Sequence, residues 1–133
     1  MWVRDTQNII YTIIKTRAKK ILDPNTELTT TLKNNTPSKF PTVFFHFMPS
    51  AEVGNDLAQD GINAFVCTMQ VKVFVTKDMG DDMALDIAYK VLDVILGLRF
   101  QVAMMPEVMD YFDTKQAVFR VRRTVGFNDI IGG

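Results

Sequence analysis

The segment Asp81–Leu98 reads as a helix with more apolar surface than one neighbour can cover. At 100° per residue, Ala84, Leu85, Ile87, Ala88, Tyr89, Val91, Leu92, Val94, Ile95, Leu96 and Leu98 spread over roughly 220°, against the ~100° stripe of an ordinary surface helix. Asp82, Asp86, Lys90 and Asp93 fill the arc that remains. Such a helix needs cover on two sides. A second helix of the same chain or a neighbouring subunit must supply it.

Two apolar segments lead into this helix. Phe40–Met48 is apolar on both faces, with Val43, Phe45 and Phe47 on one side and Phe44, His46 and Met48 on the other, as expected of a central strand. Ile62–Thr76 places Asn63, Phe65, Cys67, Met69, Val71, Val73 and Val75 on one face, while Thr68, Gln70 and Lys72 make the other polar. A strand of about 15 residues spans roughly 50 Å, two to three times the usual length. It projects beyond a small body unless something pairs with its end, which is a second hint of self-association.

The remaining elements follow from capping and breaker signals. A helix is expected over Asp5–Leu22, capped by Asp5 or Thr6, with Ile9, Ile10, Ile13, Ile14 and Ile21 on one side, and stopped by Asp23-Pro24. Lys15, Arg17, Lys19 and Lys20 crowd its last turns, where they oppose the helix dipole. Residues 25–39, rich in Thr and Asn, read as a mobile loop that orders on assembly, with a short strand around Leu28–Leu32. Residues 49–61 form a second mobile loop, whose tip stands away from the body. The segment Phe100–Met105 follows, with a break at Pro106 after it. Lys115–Phe127 closes the sheet, its basic residues on the exposed face, and residues 128–133 are expected to be a loose tail. The pattern predicts an α+β fold: a mainly antiparallel sheet with an N-terminal helix and a long central helix packed on it, in one domain spanning residues 1–133.

Composition narrows the functional classes. With 133 residues and 47% hydrophobic content the chain is long enough to bury about two-thirds of its unfolded surface without disulfides or metal. Cys67 is the one cysteine and reads as a buried structural thiol. No run approaches the ~20 apolar residues of a membrane span. The N-terminus lacks a signal peptide's apolar core, so a cytosolic protein is expected. Zero net charge argues against a dedicated nucleic-acid binder. That zero conceals an uneven layout: residues 1–40 carry seven basic and three acidic side chains, and residues 50–93 carry three basic and eight acidic. Segments of opposite sign can pair between copies.

Reactive constellations are scarce. One histidine, His46, and one cysteine give no zinc-ligand spacing, and GxSxG, P-loop and GxGxxG signatures are absent, so no catalytic, metal or cofactor residue is assigned. His46 and Cys67 could form a nucleophilic pair on adjacent strands, although a packed thiol and a hydrogen-bonded histidine account for them more simply. Asp78, Asp81 and Asp82 suggest a metal less than helix capping. Met104, Met105 and Met109 flank Pro106, as an adaptable contact surface or as core filling.

The order of elements also resembles a known family. An N-terminal helix, a polar loop, a Phe40-Pro41-Thr42-Val43 strand and an acidic loop come first. A long strand closing in Val71–Asp78 (VKVFVTKD), a helix of the Ala84–Leu98 type (ALDIAYKVLDVILGL) and a Phe119–Phe127 strand (FRVRRTVGF) follow. Over roughly residues 5–127 the chain resembles the small tail-terminator or tail-completion proteins of tailed bacteriophages and phage-like particles. The resemblance implies a structural protein that caps the tail tube as a hexameric homo-oligomeric ring, stops tube polymerisation and offers the surface to which the head attaches. Implied partners are the tail tube protein and a sheath or head–tail connector protein, with DNA only as passing cargo and no membrane. Assembly would take place in the bacterial host cytoplasm. The segment Ile62–Thr76 and the loop Pro49–Gly61 are expected to contribute contacts. Candidate interface residues are Glu52, Asp56, Asp60, Lys72, Arg120, Arg122 and Arg123, the arginines facing a neighbour or the channel. Two alternatives stand beside this: a connector of the same particle, or a small α+β enzyme or ligand-binding domain with His46, Cys67 and Tyr89 in a pocket between helix and sheet.

Overall fold

The computed structural model describes residues 2–33, 37–49, 51–53, 64–111 and 113–132, with backbone alone for 51–53. The elements run α1 (Trp2–Lys19), β1 (Glu27–Thr29), β2 (Thr42–Phe47), β3 (Ala51–Val53), β4 (Ala64–Thr76), α2 (Gly80–Leu96), β5 (Gln101–Asp110) and β6 (Thr114–Gly126). A 3-10 turn, Lys77–Met79, joins β4 to α2. The strands make one sheet in the order β1-β2-β4-β6-β5, with β3 also on β4. Among the described residues only the β1–β2 pair is parallel. The fold is α+β, as expected.

Strand β4 is the spine. All thirteen of its residues pair with β6, from Ala64↔Gly126 to Thr76↔Thr114. Its other edge is shared: β2 takes Met69–Phe74, and β3 takes Ala64–Val66. The overlong strand therefore does not project, because its own chain pairs with it on both edges. Strand β3 lies in the stretch 49–61 read as a loop, and residues 54–63, including its expected tip, are outside the described residues.

The period-2 pattern sorts the sheet into two faces. Phe65, Cys67, Met69, Val71, Val73 and Val75 are buried on one face of β4, opposite Ala117, Phe119, Val121 and Val125 of β6. Val43 and Phe45 of β2 extend the same surface. Both helices pack on it. Helix α2 buries Ala84, Ile87, Ala88, Val91, Leu92 and Ile95 over β4, β5 and β6. Helix α1 buries Ile10, Ile14 and Ala18, packs beside α2 and sets Tyr11 edge-on to Phe45. The sheet and α1 thus cover most of the broad apolar arc of α2, while Tyr89 and Leu96 at its margin stay exposed. The length of β4 requires no second copy.

Several boundaries differ from expectation for physical reasons. Helix α1 begins at Trp2 rather than Asp5, since Trp2 packs edge-on against Phe65 and Phe127, each at 5.3 Å between ring centroids. It ends at Lys19, and Leu22 closes a final turn onto the Ala18 carbonyl. Helix α2 has no side-chain cap at Met79, so Asp81 and Asp82 act as first-turn acids and not as caps. Pro106 does not end its strand: β5 continues to Asp110, with register shifts on both sides of Met104. Proline is tolerated there because β5 is an edge strand. The tail expected to be loose is tied down: Arg17 Nη2 donates to the Gly132 carbonyl at 3.1 Å, Asp129 Oδ2 accepts from the Gly126 amide at 2.7 Å, and Ile131 packs on the core.

Candidate interaction surface

With both helices on one side, the opposite face of the sheet carries no helix among the described residues. Alternation decides what it presents. On β2 these are Phe44 and His46, whose rings stack with centroids 6.1 Å apart. On β4 they are Val66, Thr68, Gln70, Lys72 and Phe74, and on β6 Gln116, Val118, Arg120, Arg122 and Thr124. Phe74 and Val118 form a small buried patch separate from the main core, near one end of this face.

Three of the seven expected interface residues meet here. Gln70 pairs with Arg120, Thr68 with Arg122, and Lys72 with Val118. Lys72 and Arg120 are therefore diagonal neighbours on one face, about 7–8 Å apart at Cα. Lys72 is half-buried and both arginines are exposed. None of the three has a hydrogen bond or ion pair among the described residues. Unpaired cations on a sheet face that carries no helix make a surface suited to an acidic partner.

Arg123 stands apart from them. It shares its parity with Phe119 and Val121, so it faces the helices, and its side chain is only 12% exposed. Nη1 donates to the Leu98 carbonyl at 2.9 Å and Nη2 lies 3.7 Å from Asp129 Oδ2. Its place is structural: it closes the exit of α2 and holds the tail. Glu52 is on β3, where its backbone pairs with Phe65, and Asp56 and Asp60 lie outside the described residues.

The rival pocket does not assemble. Cys67 is fully buried on the helix-covered face, where burial pushes its thiol up to about 12 although the nearby Arg123 charge works in the opposite direction. His46 is exposed on the other face, and Tyr89 is 43% exposed on α2. The sheet itself separates the imidazole from the thiol. Among the described residues no group of three His, Cys, Asp or Glu could hold a metal, and no helix is long and apolar enough to cross a membrane. Asp81 instead pairs with Lys115 at 2.8 Å, and Lys115 reaches Asp110 at 2.6 Å. The hydrogen bond from Lys115 holds the Asp110 carboxyl below its ordinary range, and the bonds to Asp110 and Asp81 raise Lys115. Met105 and Met109 are exposed on β5, so they are not core filling.

Arg17 and Arg99 were not singled out as site residues, yet they share one end of the domain with Arg122 and Arg123. Two adjoining concavities of about 480 and 450 Å³ are lined there by all four arginines. Arg99 carries a left-handed φ of 67°, which lets the chain leave α2 and turn at once into β5. The sequence signal is slight: a charged residue two positions after Gly97. No protein-family model and no curated protein matches the chain.

Proposed function

We propose that this protein is a structural component of a phage-type tail, acting as an oligomeric ring that caps the tail tube, halts its polymerisation and presents the surface for head attachment. The observation that carries the reading is the helix-free sheet face, where Lys72, Arg120 and Arg122 stand unpaired beside the Phe44–His46 stack. A sheet face without a helix, buried at the Phe74–Val118 end, leaves the cationic stretch around Arg120 and Arg122 for a protein partner. The only histidine and cysteine do not meet, so this surface is better suited to binding than to reaction. The resemblance in element order over residues 5–127 supplies the particular partner, a tail tube.

The test combines solution mass with tube capping. The purified protein, added to a polymerising tube protein, is expected to shorten the tubes and to appear as a ring at one end in electron micrographs. Arg120→Glu with Arg122→Glu should abolish capping while leaving the thermal midpoint near that of the parent. Unchanged tube lengths at saturating protein would overturn the proposal.

A further inference from the structure

We infer that the arginine-lined end of the domain is a socket for the acidic end of a second copy, so that copies join head to tail. The inference rests on the oligomeric reading above and gives it specific residues. Both concavities at this end share Arg99 and Arg123, with Arg17 and Arg122 completing the walls. The one carboxylate among the lining residues, Asp129, is already engaged by the Gly126 amide and Arg123. Arg99 and Arg122 have no partner among the described residues. Guanidinium forks bind carboxylates two bonds at a time, and a partly enclosed site weakens screening by salt.

The opposite end has the opposite sign. Where β4 ends and α2 begins, Asp78, Asp81 and Asp82 gather with Asp110 and Asp113 from the β5–β6 turn, against Lys77 and Lys115. Lys115 satisfies Asp81 and Asp110. Asp78, Asp82 and Asp113 are exposed, with no partner among the described residues. Arg122 is seven steps along β6 from Lys115, which puts the two ends about 23 Å apart. Compensation of the α2 dipole accounts for Asp81, Asp82 and Arg99. Arg17 has its own place in the last turn of α1 and on the Gly132 carbonyl. Neither account covers Arg122 or Asp113, which belong to other elements.

Geometry then selects the mode of pairing. Like ends repel, so a two-fold contact through either end is disfavoured. Unlike ends attract, and when they meet end to end the contact is heterologous and closes into a ring when its rotation allows. A side-by-side antiparallel pair would instead join both sets of ends in a two-fold dimer, which the sedimentation mass separates from larger species. The free carboxylates of Asp78 and Asp82, four positions apart along the turn into α2, are the groups assigned to Arg99 and Arg122 of the next copy.

A charge exchange tests this. Arg99→Glu/Arg122→Glu and Asp78→Lys/Asp82→Lys are compared with the parent by sedimentation at low and high salt. The parent is expected to associate, more weakly as salt rises. Each variant alone should associate at least tenfold more weakly, and an equimolar mixture of the two should regain association as mixed species. All four positions are exposed, so circular dichroism should match the parent. If a reversed variant is misfolded, Arg99→Gln/Arg122→Gln and Asp78→Asn/Asp82→Asn replace the pair, with the same weakening expected of each. A parent that stays monomeric at millimolar concentration, or variants that associate as the parent does, overturns the inference. So does a parent whose arginine end binds a DNA duplex but no second copy. A parent that associates, and loses association in these variants, yet leaves tubes uncapped keeps the socket and removes the tail-capping reading. A parent that caps tubes while Arg99→Glu and Asp78→Lys/Asp82→Lys associate as the parent does removes the socket and keeps the capping reading.

Discussion

Arg123 donates from Nη1 to the backbone carbonyl of Leu98 at 2.9 Å, joining the exit of α2 to β6 across 25 positions of sequence. Leu98 lies just beyond the end of α2 and is buried, so its carbonyl needs a partner from elsewhere in the fold. Arg123→Ala leaves it in a nearly enclosed site and also frees Asp129. Loss of a hydrogen bond from a charged donor should cost about 1.5–3 kcal/mol in denaturant unfolding, and Arg123→Lys should recover part of it. A change within experimental error would refute the structural role given to this residue.

The two faces of β6 should respond very differently to truncation. Phe119 is fully buried against the helices, so Phe119→Ala should lower stability by about 3–5 kcal/mol. Arg120, one residue on, is exposed on the bare face, and Arg120→Ala should stay within about 0.5 kcal/mol. Equal losses at both positions would show that the bare face is covered in solution.

The thiol of Cys67 should be silent in the native protein. Burial raises it to about 12, so thiolate is negligible at pH 8 and a bulky maleimide has no access. Labelling should proceed only through opening of the domain and become complete in denaturant. Rapid stoichiometric labelling of folded protein would contradict the packing described for β4.

Lys115, with Asp81 and Asp110, should give stability a dependence on pH at both extremes. The Asp110 carboxyl is depressed below 3.8, so its contribution is complete above that value and is lost as pH falls through the lowered one. Lys115 is raised above 10.5, so its contribution is complete below that value and is lost as pH rises through the raised one. Thermal midpoints of the parent minus those of Lys115→Met should form a plateau between these limits and fall at each side. A flat difference across the whole range would show that the bridge does not form.

Much of the architecture could be read from alternation and helical period. The covered face of β4 from Phe65 to Val75 was legible because each second residue is apolar, and α2 was legible from its breadth of apolar positions. Arg123 shows where such reading divides against itself. Its parity placed it with Phe119 and Val121, its charge suggested an exposed contact, and its acceptor, the Leu98 carbonyl, leaves no local mark in the sequence. The start of α1 at Trp2 depends on rings more than 60 positions away, which no capping rule can register. Three-residue β3 is too short to show any period. The arginine end is assembled from α1, β6 and the exit of α2, so only the folded chain brings it together.

Pro106 gives the outermost long strand a missing amide and a broken register, and β1, on the far side, offers just three residues. Naked strand margins are where separate copies zip into fibrils. The β5 margin is a poor template of that kind, and three-residue β1 blunts the start of the other by covering Thr42–Phe44 of β2. Copies brought close together are thereby steered away from merging along β5 into a continuous sheet.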